Sequence, residues 1–192
     1  MRDRIASVRQ ALADAGGVPA DVIEERVAAS TVQLGMVARL LSPALAVLVL
    51  GAWLDPAPPS LWRQDVIGGP VPLSAGMDAG APPPPVDIAV ETLLSQLITP
   101  LNDAVIRQVR LSGRVLWGNV ASTISATSRL IGAARPDLAD RSQMLAGAIF
   151  QAPQLRTEHN PPRPGFRRSS CCLYYRLAPE RTGSTCSDCV LA

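Results

Sequence analysis

All the cysteines of this chain lie at its C-terminal end. The 192 residues include four cysteines, at positions 171, 172, 186 and 189. Thiols are readily oxidised and bind soft metals, so four of them in one short segment indicate a disulfide framework, a zinc site or an iron–sulfur cluster. The choice among these three determines what the segment folds around.

A disulfide framework fits this spacing poorly. Such frameworks belong to small secreted domains and are spread over the fold, whereas these cysteines are confined to residues 171–189. Adjacent cysteines such as Cys171 and Cys172 pair with each other only under strain. Residues 3–15 predict a short amphipathic helix with acidic residues and no long apolar run, which is not the pattern of a secretory signal.

Zinc and iron–sulfur chemistry both remain open on the residues alone. Cys186-x-x-Cys189 is a ligand pair of the kind that zinc uses, and four thiolates complete a tetrahedral site. Cys171 and Cys172, however, would point to opposite faces of a strand, so both reach one metal only if the backbone turns. A cluster of two irons shares the four thiolates between its irons and constrains each ligand less.

A family resemblance favours iron–sulfur chemistry. Residues 168–176, with Cys171 and Cys172, followed by Cys186-x-Asp188-Cys189, resemble the C-terminal signature of the FhuF-like siderophore-iron reductases. Residues 38–44 and 116–122 resemble the same family, so the likeness covers about residues 27–192. Two departures stand out: thirteen residues, 173–185, separate the cysteine pairs, more than is usual there, and Ser187 replaces a frequent glycine.

The resemblance implies a cytoplasmic ferric-siderophore reductase that acts in iron acquisition. Its cofactor would be a [2Fe-2S] cluster held by Cys171, Cys172, Cys186 and Cys189. One-electron transfer would reduce the siderophore's Fe(III) to Fe(II), which the siderophore oxygens hold far less tightly. A separate donor, such as a ferredoxin or a reductase, is expected because no G-x-G-x-x-G motif follows a strand here.

Several residues are candidates for binding the ferric siderophore. They are Arg39, Trp117, Asn119, Arg168 and Arg176. Each has a plainer alternative: Arg39 could serve as a structural arginine with a carboxylate or carbonyl partner, and Asn119 could satisfy a neighbouring loop. Arginines 163, 167, 168, 176 and 181 surround the cysteines, and serine hydroxyls or backbone N–H groups are expected to donate to the sulfurs. The single histidine, His159, is expected to be an exposed linker residue rather than a ligand.

Two functions from other classes compete with the reductase. One is a non-enzymatic binding module whose tail is stapled by zinc, and the other is an iron–sulfur electron carrier without a siderophore site. Nucleic acid is not an expected partner, because aromatic residues make up only 4% of the chain and the net charge is only +2. A stable membrane span is not expected either, since the apolar run 44–54 is shorter than the ~20 residues that a span needs.

The periodicity predicts a mainly α fold with a small β-hairpin insertion and an irregular cysteine-rich C-terminal segment. Residues 1–151 would form the helical, siderophore-binding body, with the hairpin at about 60–74. Residues 152–166, which hold four prolines, would form a linker, and residues 167–192 would bind the cluster. Within the body, Pro43 is expected to kink or end a helix, Asp87 to cap one, and residues 101–130 to form one long helix with Gly118 in a close contact.

Overall fold

The computed structural model describes residues 1–56, 61–63, 73–75, 82–160, 165–177 and 185–191. Six α-helices make up most of the described chain, which confirms the predicted fold class: α1 (Arg2–Gly16), α2 (Glu25–Val49), α3 (Val86–Leu93), α4 (Thr99–Ile106), α5 (Gly113–Ala134) and α6 (Ala139–Phe150). Short 3₁₀ turns occur at Ala20–Val22, Pro136–Leu138 and Tyr174–Leu177. A π-helical turn, Leu94–Ile98, joins α3 to α4.

Helices α2 and α5 form the centre of the body, and the other helices pack around them. The larger of two apolar clusters lies between the C-terminal half of α2, helices α3 and α4, the middle of α5, and α6. The smaller cluster joins α1 to the N-terminal half of α2 and to the start of α5. Leu173, which follows the first cysteine pair, packs against this smaller cluster. The cysteine segment therefore docks at the end of the body where α2 and α5 begin.

Helix α2 continues past Pro43 without ending, and the predicted break there is wrong. A proline inside a helix costs about 3 kcal/mol because it removes one hydrogen bond and crowds the preceding turn. Leu40, Leu41, Ala44 and Leu45 on either side of Pro43 are all buried, so tertiary packing outweighs that cost.

Glu25–Val49 is also the one helix of the described chain that is long and apolar enough to cross a membrane by length and composition. In its most apolar stretch, 44% of the residues are buried inside the protein, as in a core helix.

The predicted long helix 101–130 is divided into two by residues 107–112. Helix α4 ends at Ile106 and α5 begins at Gly113. Ser112 is the N-cap of α5, and its hydroxyl accepts a hydrogen bond from the N–H of Arg114. Val109 and Leu111, in the connection, are buried, which makes the interruption part of the core. The predicted cap at Asp87 is wrong by two residues: the N-cap of α3 is Pro85, and Asp87 lies in the first turn of the helix.

Two small ribbons complete the described chain. Strand β1 (Leu61–Arg63) pairs antiparallel with β2 (Leu73–Ala75), which confirms the predicted hairpin, although its turn lies outside the described residues. Strand β3 (His159–Asn160) pairs antiparallel with β4 (Arg167–Arg168), and this ribbon was not predicted. It brings the proline-rich stretch back against the cysteine segment.

Candidate metal centre

Two backbone hydrogen bonds, one from β4 and one from the residue after it, fix the cysteine segment in place. The N–H of Ser169 donates to the carbonyl of Glu158 at 3.0 Å. The N–H of Arg168 donates to the carbonyl of Asp188 at 3.2 Å. The second bond joins β4, which precedes the first cysteine pair, to the turn between Cys186 and Cys189. It holds that turn beside Cys171 and Cys172.

Gly118 is the point where the segment crosses α5. A Cβ atom at this position would lie 2.1 Å from the Ser170 hydroxyl and 3.1 Å from Nη2 of Arg168. Only a residue without a side chain allows this approach, and the predicted close contact at Gly118 is made with side chains rather than with a backbone or a ligand. The Ser170 hydroxyl donates to the carbonyl of Arg114 at 2.7 Å, one turn before Gly118. It therefore anchors the segment to α5 rather than donating to a sulfur.

A buried polar network lies beneath the segment. Asn119, which is fully buried, donates from Nδ2 to Oε1 of Gln33 at 2.9 Å and to the Ser30 hydroxyl at 3.1 Å. Its Oδ1 accepts from Nη2 of Arg168 at 2.5 Å. The Ser30 hydroxyl in turn donates to the carbonyl of Cys172 at 2.9 Å. One set of hydrogen bonds thus joins helices α2 and α5 to Arg168, which precedes the first cysteine pair, and to Cys172 within it.

The second connection between the cysteine segment and the helical body is an ion pair at the start of α2. Nη1 of Arg176 lies 2.8 Å from Oε1 of Glu24, and Glu24 also pairs with Arg26. These guanidiniums lower the pKa of the Glu24 carboxyl, with Arg26 the larger contributor. Leu173, between the cysteines and Arg176, adopts φ of 71°, which is unusual for a residue with a side chain. The chain therefore reverses directly after Cys172.

None of the four thiols forms a disulfide. The Sγ atoms of Cys172 and Cys186 are 3.6 Å apart. The sulfurs of Cys171 and Cys189 each accept a backbone N–H from two residues further on, Leu173 and Leu191, at 3.3 Å. Hydrogen bonds of this kind stabilise a thiolate, and they match the expectation that backbone N–H groups would donate to the sulfurs.

Burial and mutual proximity raise the pKa of two of these thiols. Burial is the main cause for Cys171, to which the neighbouring Cys172 and Cys189 add. Burial is also the main cause for Cys186, followed by the adjacent Cys172. A site that holds several thiolates close together is unfavourable without a cation, because their negative charges repel. A bound metal centre supplies that positive charge.

The structure gives two predicted siderophore-binding residues a different role. Asn119 and Arg168 have exposed fractions of 0% and 1%, and both are used in the buried network. A siderophore at the surface would not reach them, so they position the segment instead. For Asn119 the plainer alternative, satisfaction of neighbouring structure, is the one that the geometry favours.

The other three predicted siderophore-binding residues reach the surface to different extents. Arg39 is exposed on α2, where Nη1 donates to the carbonyl of Gly35 at 3.3 Å, one turn earlier in the same helix. Trp117 is half-buried and packs against the larger apolar cluster. Arg176 is half-buried and held by Glu24. Arg163 and Arg181 lie outside the described residues.

Sequence reasoning missed three residues that attach the segment to the body: Glu24, Ser30 and Gln33. Gln33 is fully buried and bonds Asn102 at 2.9 Å as well as Asn119. A signal for it was present, since a glutamine in an otherwise apolar stretch of helix needs partners just as Asn119 does. The ion pair of Glu24 carried no such signal, because its partner is 152 residues away in the sequence.

The C-terminal segment matches a known family. The family model described as the FhuF 2Fe-2S C-terminal domain covers residues 168–191. The cysteine segment belongs to this domain family. Its cofactor is therefore a [2Fe-2S] cluster. No curated protein and no solved structure matches the chain.

One pair of thiols has the spacing of two ligands on one metal. In tetrahedral thiolate sites the metal–sulfur bond is about 2.3 Å, so two sulfurs on one metal are about 3.8 Å apart. The Cys172 and Cys186 sulfurs are close to that separation. Among the described residues, which include all four cysteines, no group of three or more His, Cys, Asp or Glu side chains surrounds one point.

Proposed function

We propose that this protein is a cytoplasmic ferric-siderophore reductase. The observation that carries the proposal is the presence of four free thiols within residues 168–191, the stretch that matches the FhuF 2Fe-2S C-terminal domain. When bound to the four cysteines, the cluster supplies one electron to the siderophore's Fe(III), which becomes Fe(II) and is released. A separate one-electron donor, such as a ferredoxin or a reductase, restores that electron.

The protein's own contribution is to hold the cluster site rigidly and close to the surface. Cys172 and Cys189 are buried, whereas Cys171 and Cys186 are only half-buried. A chelated ferric ion can therefore approach from the side of Cys171 and Cys186 while the body shields the other two ligands. Proximity of this kind is the main contribution that a protein makes to chemistry supplied by its cofactor.

Three arginines outside the buried network suit the binding of an anionic siderophore or an acidic donor protein. Arg114 has a side chain that is 65% exposed and lies on α5 beside the segment. Arg39 is exposed on α2, and Arg176 follows the first cysteine pair. Positive charge around a site attracts anions and raises their association rate. Arg39, Trp117 and Arg176 accordingly remain our candidates for contacts with the siderophore.

The proposal is tested by mixing the reduced, cluster-loaded protein with a ferric hydroxamate chelate under anaerobic conditions. We expect cluster reoxidation, followed by visible absorbance, to match Fe(II) formation trapped by ferrozine, with one Fe(II) per electron lost. The gallium(III) chelate, which has the same shape but cannot be reduced, should leave the cluster reduced. A cluster that stays reduced with the ferric chelate would indicate an electron carrier instead, and a colourless protein with one zinc would indicate the zinc-stapled module.

The predicted contact at Arg39 is tested separately. Arg39→Gln should raise the chelate concentration needed for half-maximal reoxidation several-fold and leave the unfolding midpoint unchanged, because its side chain is exposed. Arg129→Gln is the matched control, since Arg129 is exposed on α5 about 22 Å beyond Arg114 along the helix. Equal behaviour of the two variants would remove Arg39 from the proposed binding site.

A further inference from the structure

The closest thiols of the segment come from different halves of the cysteine motif. Cys172 belongs to the adjacent pair and Cys186 to the C-x-x-C pair, yet their sulfurs are 3.6 Å apart. Two thiolates on one tetrahedral metal are separated by about the same distance, close to 3.8 Å for bonds of about 2.3 Å. The fourteen-residue separation of these two cysteines does not keep them apart, because β4 holds the second half beside the first.

The sulfurs of the remaining two cysteines make the same kind of hydrogen bond. The sulfurs of Cys171 and Cys189 each accept the backbone N–H of the second residue after them, at 3.3 Å. Among the described residues these are the two cysteine sulfurs with a backbone donor.

In the alternative arrangement each half of the motif would hold its own iron, which requires Cys171 and Cys172 to share one iron. The N–H of Cys189 donates to the carbonyl of Cys186 at 3.1 Å, which closes a turn between these two cysteines. The positive φ of Leu173 comes after Cys172, so the reversal does not lie between Cys171 and Cys172. Side chains of consecutive residues in an extended chain point in opposite directions. Cys171 and Cys172 are therefore poorly placed to share one iron, and the sulfur contact that the structure shows joins the two halves.

We propose that the ligands are crossed: Cys172 and Cys186 bind one iron, and Cys171 and Cys189 bind the other. This inference rests on the proposed ligation of the cluster by all four cysteines, but not on siderophore reduction. It makes the two irons inequivalent, because one pair of sulfurs accepts backbone N–H bonds. Hydrogen bonds to the sulfurs favour the more negative, reduced state of an iron–sulfur centre.

Spectra of the four single Cys→Ser variants test the pairing without any measurement of activity. Each variant is reconstituted anaerobically and reduced, and its electron paramagnetic resonance g values and midpoint potential are recorded. We expect two classes, with Cys171→Ser resembling Cys189→Ser, and Cys172→Ser resembling Cys186→Ser. Ser187→Ala, in the exposed turn, should keep the wild-type spectrum. Classes that follow the sequence neighbours, or four unrelated spectra, would overturn the crossed arrangement.

Disulfide trapping in the full-length, metal-free protein covers the case in which serine variants fail to assemble a cluster. Diamide oxidises two neighbouring thiols to a disulfide and takes up their two hydrogens as it becomes the hydrazine. Peptide mapping should find Cys172 joined to Cys186 as the main product. A main product that joins Cys186 to Cys189 or Cys171 to Cys172, or no product, would overturn the inference. A crossed result together with no ferric-chelate reduction would contradict only the proposed function.

Discussion

At the scale of single residues, Gly118 decides whether the cysteine segment can dock. The space above it is filled by Ser170, whose hydroxyl would be 2.1 Å from an added Cβ. That hydroxyl is already committed to the carbonyl of Arg114. The segment therefore cannot move away from a side chain at position 118 without losing a hydrogen bond that anchors it.

Gly118→Ala should destabilise the protein although alanine is the better helix former. We expect a net loss of about 1–3 kcal/mol, because the strain of overpacking and the loss of the Ser170 bond exceed the gain in helix propensity. Gly147→Ala in α6 is the matched control, since a Cβ there meets nothing within 4 Å, and it should be neutral or stabilising. Denaturant unfolding compares the two, and equal midpoint shifts would contradict the docking geometry.

Asn119 is the residue on which the buried network depends. Its amide joins Gln33 on α2 to Arg168 in β4. Asn119→Ala would leave the buried guanidinium of Arg168 without this acceptor, and Nε of Arg168 already has no acceptor among the described residues. We expect a loss of about 2–4 kcal/mol in the free energy of unfolding, as for other uncompensated buried charges.

A double-mutant cycle distinguishes this cause from a simple loss of packing. Arg168→Met removes the guanidinium that donates to Asn119. Asn119→Ala should therefore cost less in the Arg168→Met protein than in the wild type. Unfolding free energies of the four proteins in the cycle should give a coupling of at least about 1 kcal/mol, as for residues in one hydrogen-bond network. Additive effects would show that Asn119 and Arg168 act independently.

The need for partners at Asn119 and the close contact at Gly118 could both be predicted from the residues themselves. A polar amide in an apolar helix and a glycine in a helix interior are each costly unless something compensates them. What compensates them could not be predicted, because Arg168 and Ser170 are about 50 residues away in the sequence. Long-range contacts of this kind leave no periodic pattern in either partner.

At the scale of elements, the predicted order of helices and the hairpin were right, while two helix boundaries were wrong for one reason. Pro43 was expected to interrupt α2, and residues 107–112 were expected to be helical. In both places burial decides: the neighbours of Pro43 are in the core, and so are Val109 and Leu111 in the connection. Local propensity gives a weak expectation that tertiary packing overrides.

The linker was the least predictable element. Its four prolines in residues 152–166 indicate a spacer without regular structure. In the structure, however, Leu155 is fully buried, and Phe166 stacks on Phe150 with ring centroids 5.7 Å apart. The stretch also supplies β3, which pairs with β4. It therefore helps to hold the cysteine segment in place, and this follows only from contacts made on folding.

The ion pair between α2 and the turn after the cysteines should contribute in a pH-dependent way. Glu24→Gln is expected to loosen the segment by less than about 1 kcal/mol at neutral pH, because the pair is partly exposed. Since the pKa of Glu24 is lowered from 4.5 in the folded state, this stabilisation is complete above that value. It is lost as the pH falls through the lowered pKa.

Protease cleavage within residues 165–177 measures the loosening. The difference between the wild type and Glu24→Gln should be present at neutral pH and should vanish at a pH well below 4.5, with an acid-tolerant protease. Glu25→Gln is the control, because Glu25 is an exposed neighbour in the first turn of the same helix. A difference that persists in acid would mean that the Glu24 charge is not what holds the segment.

At the scale of the whole molecule, folding brings a thiol-rich segment against a helical body. The raised pKa values of Cys171 and Cys186 mean that both are protonated thiols at neutral pH in the metal-free protein. Ligation requires thiolates, so cluster assembly releases protons. Raising the pH from about 6.5 to about 8.5 should therefore increase the cluster yield in anaerobic reconstitution, measured by visible absorbance. A yield that fell over this range would contradict the arrangement of the thiols.

The central claim is that the four cysteines together hold two bridged irons. It is tested most directly on anaerobically purified protein by counting metal and sulfide and then recording the electron paramagnetic resonance spectrum after reduction. We predict two irons and two acid-labile sulfides per chain, with a signal from one unpaired electron per cluster. A single zinc per chain, with no sulfide and no signal, would contradict the account.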